Sequence, residues 1–176
     1  MICTASYAVG QQSQPAHVTQ TIATWEKFAP KGAGFTVLLP GKPKSEDSRV
    51  ETKLGLLINH QYSLQDHGAA YMIAYAEFPG PESDEVNIAK ILDGARDNAI
   101  SNVKGELKSE KVMRIGRHFG REWLVRSPNA FIRARAYWVN ERLYQLIMLM
   151  PPAAETGPAY ETFAAKFFDS FALTEN

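Results

Sequence analysis

The stretch Ala130–Pro151, AFIRARAYWVNERLYQLIMLMP, decides the fold of this chain. Two apolar runs meet at Asn140 and Glu141, and this arrangement predicts a β-hairpin with a two-residue loop. Because side chains alternate between the faces of a strand, the loop also fixes which residues face each other. One face should pair Trp138 with Leu143, Ala136 with Gln145, Ala134 with Ile147 and Ile132 with Leu149. The other should pair Tyr137 with Tyr144, Arg135 with Leu146 and Arg133 with Met148.

The second strand of this hairpin, Leu143–Met150, is apolar on both faces except at Gln145. A strand with one wetted face would alternate between apolar and polar residues, so this strand is expected to be covered on both sides. Pro151 and Pro152 end it, since proline has no amide hydrogen to donate to a neighbouring strand. The hairpin therefore predicts the centre of a layered α+β sheet.

Composition limits the possible functions. The 176 residues suit one domain, and 19 basic residues balance 19 acidic ones without forming a basic cluster. This distribution argues against nucleic acid or an anionic membrane surface as the main partner. No apolar run reaches the length of a membrane-spanning helix. The single cysteine, Cys3, excludes an internal disulfide framework and a thiolate zinc site.

Residues 1–23 differ in composition from the rest and have two interpretations. Ala8–Gly10 resembles the small-residue end of a secretory signal, although no basic segment precedes it. The segment is interpreted either as the remnant of a signal peptide or as a disordered tail. Residues 24–176 are predicted to form a single domain.

The remaining elements follow from periodicity and turn residues. We expect strands over 24–29 and 34–40, a solvated loop over 41–48, and one long strand over 49–65. A strand over 69–78 precedes a helix over 85–103, with its apolar stripe on one face and Gly105 at its end. Strands over 106–115 and 121–126, separated by a turn at 116–120, lead into the central hairpin. A last helix beginning near Pro158 carries an aromatic stripe that extends to Phe171.

Several short phrases accompany this order of elements, namely Phe35–Pro40 (FTVLLP), Ile91–Asp93 (ILD), Gly116–Glu122 (GRHFGRE), Arg135–Tyr137 (RAY), Arg142–Leu146 (RLYQL) and Phe168–Phe171 (FDSF). Together, the order and the phrases resemble the PsbP-like family and related exported bacterial proteins of uncharacterised function. The resemblance covers about residues 24–173 and implies an α/β/α sandwich around a mainly antiparallel sheet. It also favours an extracytoplasmic location, periplasmic or secreted, over the alternative of a cytoplasmic one. It transfers no functional residues, because proteins of this fold differ in function.

Arg133 and Arg135 are candidate binding residues, because their strand face also carries Tyr137 and Tyr144. Guanidinium groups among aromatic rings can anchor a ligand carboxylate or an acidic residue of another protein. The alternative is structural: the arginines pair with helix carboxylates such as Asp93 or Asp97 and stack on the tyrosines.

An enzymatic alternative, of a hydrolase-like kind, rests on residues expected in turns. His67, His118 and Glu122 could form a site at one end of the sheet, and Asp66 could join them in binding a metal. No metal-binding motif supports this arrangement, and we predict neither a metal nor a cofactor. His60 is expected to be a hydrogen-bonded core residue.

The sequence therefore favours a non-enzymatic binding or accessory domain, whose partner is another protein or a small ligand. Nucleic acid and an integral membrane segment are not expected. A third possibility is a structural homodimer, in which the edge strand at Trp25 pairs with that of a second copy. The chain is thus predicted to be a monomer or a homodimer.

Overall fold

The computed structural model describes residues 24–52, 55–66, 68–78, 85–152 and 157–174. The predicted N-terminal tail and His67 lie outside these ranges. Two helices and ten strands are present in the described ranges. In chain order they are β1 (Glu26–Phe28), β2 (Phe35–Leu39), β3 (Lys44–Thr52), β4 (Gly55–Asp66), β5 (Ala69–Glu77), α1 (Glu85–Val103), β6 (Glu106–Ile115), β7 (His118–Arg126), β8 (Phe131–Val139), β9 (Arg142–Met150), α2 (Pro158–Phe168) and β10 (Ala172–Leu173).

Seven of the strands form an antiparallel sheet in the order β3-β4-β5-β9-β8-β7-β6. Helix α1 packs on one face of this sheet, which we call the α1 face. Helix α2 packs on the other, the α2 face, together with a small sheet of order β1-β2-β10. The predicted α+β sandwich around a mainly antiparallel sheet is confirmed.

The central hairpin has the predicted register throughout. Trp138 pairs with Leu143, Tyr137 with Tyr144, and the remaining pairs follow in step. Asn140 and Glu141 both have positive φ angles, 47° and 65°, as a two-residue hairpin turn of type I′ requires. Strands β8 and β9 lie inside the sheet, with β5 and β7 on their outer sides. The interpretation of this segment as the centre of the sheet is therefore correct.

Each face of the sheet buries its own apolar cluster. On the α1 face, Leu92 and Ala95 of the helix meet Trp123, Ala134 and Ala136 of the strands. The small alanines leave room for the helix to approach the sheet. On the α2 face, the aromatic stripe of α2 packs with the alternate residues of β2 and with the tyrosines of the sheet. The buried members of the cluster on the α2 face include Phe35, Val37, Leu39, Tyr71, Tyr144, Phe167, Phe168 and Phe171.

The prediction of a loop over 41–48 followed by one long strand is wrong. The chain instead forms two antiparallel strands, β3 and β4, in which Lys44 pairs with Ser63 and Thr52 with Gly55. The charged residues of β3 resemble a loop in composition, but charges are also typical of an edge strand that water reaches on both faces. Three apolar residues of these two strands, Val50, Leu56 and Ile58, are exposed.

Two predicted turns also differ in detail. The turn between β6 and β7 contains only Gly116 and Arg117, so Gly120 lies within β7. A Cβ atom at Gly120 would lie 2.4 Å from Cδ1 of Tyr137, and this close approach explains the glycine. At the end of α1, Lys104 and not Gly105 has the left-handed backbone, with a φ of 49°.

The C-terminal helix ends at Phe168, short of the predicted stripe. Phe171 follows the helix and is still buried, and Ala172–Leu173 then pairs with β2 as β10. This pairing places the end of the small sheet beside the turn of the central hairpin.

Candidate functional site

The two arginines predicted from sequence belong to a buried ion-pair cluster on the α2 face. Glu122 of β7 lies opposite Arg135 of β8. Nε of Arg135 donates to Glu122 Oε2 at 2.6 Å, and its Nη1 donates to Asp169 Oδ1 at 2.8 Å. Nε of Arg133 donates to Glu122 Oε2 at 3.2 Å, and its Nη1 donates to Glu161 Oε2 at 3.1 Å. The cluster thus connects two strands to α2 and to the residue that follows it.

The electrostatics of the cluster follow from these contacts. Burial by itself would raise the pKa of the Glu122 carboxyl, but hydrogen bonds from Lys111, Arg135 and Arg133 outweigh burial and lower that pKa to about 2. Burial by itself would lower the pKa of Arg135, but the bonds to Glu122 and Asp169 outweigh it and raise that pKa above its ordinary value. Glu122 and Arg135 are therefore both held in their charged forms.

The carboxylate pairing considered from sequence is present, with different partners. Asp93 and Asp97 lie on α1, across the sheet from Arg133 and Arg135, and their ion pairs are with Arg96. Asp93 also pairs with Arg121. Sequence periodicity did not show on which side of the sheet each helix lies. A binding role for Arg133 and Arg135 stays a prediction.

The two predicted tyrosines are buried, each with 3% of its surface exposed. Tyr137 stacks on Phe171 with ring centres 5.7 Å apart. The Tyr144 hydroxyl donates to the carbonyl oxygen of Ala33 at 2.8 Å. Burial raises the pKa of both phenols. Tyr144 differs from the other three predicted residues because it is among the residues that line an open cleft.

This cleft, of about 940 Å³, lies where the hairpin turns meet the edge of the small sheet. It brings together residues from separate parts of the chain, among them Gly34, Glu77, His118, Arg142, Tyr144 and Thr174. The sheet registers explain this grouping. Glu77 pairs with Arg142, which pairs with Val139, and His118 continues the same row on β7. This row of residues at the strand ends therefore forms the floor of the cleft.

Arg142 holds the floor together. Its Nη1 donates to the carbonyl oxygens of Ala33 (2.9 Å) and Gly32 (3.3 Å) and lies 3.1 Å from the Tyr144 hydroxyl. Its Nη2 donates to Glu77. Burial alone would lower the pKa of Arg142, but the contacts with Tyr144 and Glu77 outweigh it and raise that pKa. The guanidinium thus fixes the small sheet to the large one at the cleft.

The two ends of the cleft differ chemically. At the β6–β7 end lie the exposed Arg117 and the half-buried His118. Arg114 lies on the α1 face, with its guanidinium 3.9 Å from the ring centre of Phe119, and it donates a hydrogen bond to the Arg117 carbonyl. At the β4 end, a smaller cavity of about 360 Å³ shares Glu77 and Phe78 with the cleft. Its other lining residues include the exposed Leu56 and Ile58.

The residues of the enzymatic alternative are only partly brought together. His118 lines the cleft, whereas Glu122 lies four residues further along β7, about 13 Å away, within the ion-pair cluster. Asp66 lies at the opposite end of the sheet, beside Ala69. Within the described ranges, no three His, Cys, Asp or Glu side chains converge to hold a metal ion. The hydrolase-like activity stays a prediction.

His60 and Trp25 were also assigned roles from the sequence. His60 is half-buried at the sheet rim, where Nδ1 lies 2.8 Å from Asp47 Oδ1 and the ring stacks on Tyr75. It is hydrogen-bonded as expected, but it is not in the core. Trp25 packs against Tyr71 and Phe163 beside β1. The homodimer through this strand stays a prediction.

Comparison with known proteins places the fold. No protein-family model and no curated protein matches the sequence. Among solved structures, the chain is similar to cyanobacterial PsbP (CyanoP) from Synechocystis sp. PCC 6803, with a TM-score of 0.57 and 11% identity. The match covers 93% of this chain and 99% of CyanoP. The fold is thus PsbP-like, as the sequence resemblance implied.

The sequence predicts no membrane-spanning segment. Neither of the two helices in the described ranges combines the length and the apolar character that a bilayer span requires.

Proposed function

We propose that this protein is a non-enzymatic binding domain, and that the cleft beside the central hairpin is its binding site for a protein segment or a small ligand. The observation that carries the proposal is the cleft itself, an open concavity of about 940 Å³ formed by distant parts of the chain. Binding sites in proteins are usually concave and carry a few convergent polar groups. Arg142, Tyr144, Asn140 and His118 supply such groups here.

Rigidity of the floor supports the proposal. Arg142 and Tyr144 each bond to the loop before β2, so the polar groups are held before any ligand arrives. A preformed site avoids the entropy cost of ordering side chains on binding. In this proposal Tyr144 acts in the cleft directly, whereas Arg133, Arg135 and Tyr137 support it by fixing β8 against α2.

Other features of the proposed role rest on the sequence. The extracytoplasmic location, the accessory character and the single-domain organisation of residues 24–176 remain part of the proposal. So does the absence of a cofactor.

A cleft-filling variant tests the proposal. Thr174 is an exposed residue at the cleft, and Thr174→Trp would place an indole in the concavity. Its matched control is Thr162→Trp on the exposed side of α2. Low-mass fragments and short peptides of varied sequence are titrated into ¹⁵N-labelled protein, and amide shifts are mapped by NMR.

We expect the shift changes to cluster at Gly34, His118, Arg142 and Thr174. They should disappear in Thr174→Trp and persist in Thr162→Trp. Shift changes that map elsewhere, or that survive in Thr174→Trp, would contradict the assignment of the cleft as the binding site, as would a complete lack of binding.

A further inference from the structure

We infer that the partner at this cleft is an extended protein segment of about six residues, with acidic side chains at one end and a large apolar side chain at the other. This inference rests on the proposed function and adds the chemistry of the ligand. It depends on the row of strand-end residues under the cleft, which includes Glu77, Arg142, Val139 and His118. Three features of this row matter: its length, its basic end and its apolar end.

The length follows from sheet geometry. Ile58 continues the row beyond Glu77, one residue past the last paired positions of β4 and β5. The row then runs through Arg142 and Val139 to His118, so it crosses five neighbouring strands. Strands lie about 4.8 Å apart, and the row is therefore about 19 Å long. An extended chain that rises about 3.3 Å per residue covers this distance with about six residues.

The basic end is formed by Arg117 and His118. Arg117 is exposed, and its carbonyl accepts a hydrogen bond from Arg114, whose side chain lies with Phe119 on the α1 face. Two acidic groups lie nearby: Glu77, which Arg142 engages, and Glu141 of the hairpin turn. The guanidinium of Arg117 gives this end a positive character that matches a carboxylate.

The apolar end is formed by Leu56 and Ile58, which are 56% and 49% exposed. Both lie on the α2 face of β4, beyond the part of that face on which Tyr62 and Leu64 pack against the core. Together with Phe78 they line the smaller cavity beside the cleft. A large apolar side chain seated here would remove these surfaces from water.

A row with one basic end and one apolar end favours a peptide over an anionic membrane surface as its ligand. An anionic membrane surface would meet Glu77 in this row and Glu141 in the adjoining turn, and it needs a broader basic cluster than this. A peptide can match a basic group and an apolar pocket at a fixed spacing. The inferred ligand therefore carries both kinds of side chain, separated by the length of the row.

Synthetic hexapeptides labelled with fluorescein provide the probe. The first has two aspartates at one end, leucine at the other and a glycine–serine spacer, and it is prepared in both chain directions. In a second peptide lysines replace the aspartates, and in a third serine replaces the leucine. Binding is measured by fluorescence anisotropy against wild-type protein and four variants.

Arg117→Glu removes the basic end, with Lys108→Glu on the exposed part of β6 as its charge-matched control. Ile58→Ser removes the apolar end, with Val112→Ser as its control, because Val112 is 73% exposed on the α1 face. We expect Arg117→Glu and Ile58→Ser each to weaken binding of the first peptide about tenfold, and the controls to leave it unchanged. Arg117→Glu should also gain affinity for the lysine peptide.

Equal binding of the three peptides to wild-type protein, or unchanged binding in Arg117→Glu, would overturn the inference. If Thr174→Trp abolishes ligand binding while Arg117→Glu and Ile58→Ser do not, the cleft stands as the site and the ligand chemistry is wrong. If no probe binds the cleft, both proposals fail. Sedimentation with phosphatidylserine vesicles that depends on Arg117, without peptide binding, would assign the surface to a membrane and also overturn the inference.

Discussion

Glu122 is the residue on which the α2 face depends most strongly. It is 6% exposed, and its carboxylate accepts from Arg133, Arg135 and Lys111. Taking a charge out of water costs several kcal/mol, and here three cations offset that cost. Removing the carboxylate would leave Arg135 buried without its closest partner.

We therefore expect Glu122→Gln to lower the free energy of unfolding by about 3 kcal/mol at neutral pH. The folded pKa of Glu122 is lowered from 4.5 to about 2, so its stabilisation is complete above pH 4.5 and is lost as the pH falls toward 2. The wild type should lose more stability than Glu122→Gln over this range. Urea unfolding at a series of pH values measures both effects.

The control is Glu106→Gln, since Glu106 is exposed and its carboxylate pairs with Lys108, also at the surface. This variant should unfold like the wild type at neutral pH. The same acid dependence in Glu122→Gln and wild type would show that Glu122 does not hold the charge cluster together.

At the scale of elements, the turn between β8 and β9 sets the geometry of both the sheet and the cleft. Asn140 tolerates a positive φ, whereas Glu141 adopts one, 65°, against the preference of a residue with a Cβ atom. The strain is offset by the long hairpin that the turn joins, which pairs over nine residues on each side. The turn also positions Arg142 at the start of β9.

Glu141→Gly should therefore stabilise the fold by about 1 kcal/mol, because glycine adopts positive φ without strain and Asn-Gly is the preferred pair for this turn. Glu141→Ala removes the same charge but retains the Cβ atom, and it should give no such gain. Thermal unfolding of the two variants separates backbone strain from charge. A Glu141→Gly variant no more stable than Glu141→Ala would contradict the assignment of strain to this position.

At the scale of the whole molecule, one sheet serves two apolar clusters. Leu92 of α1 is 2% exposed, and Phe167 of α2 is fully buried on the opposite face. The strands between them contribute alternate side chains to both clusters. Loss of either helix would therefore disturb strands that also carry the apolar cluster of the opposite face. This shared sheet predicts that the sandwich unfolds as one unit.

Leu92→Ala and Phe167→Ala should each lower the free energy of unfolding by about 3 kcal/mol. In both variants, the unfolding midpoints from far-ultraviolet circular dichroism and tryptophan fluorescence should coincide. Val112→Ala, at an exposed position, is the control and should change stability little. A variant in which the two probes report separate transitions would show that the two layers unfold independently.

Much of the fold was accessible from the sequence because local patterns specify it. Alternation along Leu143–Met150 and the two-residue turn predicted the register of the central hairpin, and the apolar stripe predicted α1 over the residues that form it. The charged strand β3 was misread as a loop, since edge strands and loops share a composition. Tyr144 was identified as a candidate, but Arg142 was not.

Arg142 illustrates why the site was only partly predicted. It appears in the sequence as an ordinary polar residue beside a turn, and the backbone oxygens it binds lie about 110 residues earlier in the chain. The one available signal was the clustering of basic and polar residues in two turns, Gly116–Arg117 and Asn140–Glu141, since the turns of adjacent hairpins can meet at the same end of a sheet.

The sequence by itself determined the central hairpin, the faces of its two strands and its turn, because alternation and backbone preference act over a few neighbouring residues. Only the tertiary structure decided which carboxylates pair with Arg133 and Arg135, how far each covering layer extends, and that Leu56 and Ile58 remain exposed. Those outcomes depend on where α1, α2 and the small sheet pack on the large sheet. Periodicity marks which residues share a face, but the burial of that face depends on contacts between residues far apart in the chain.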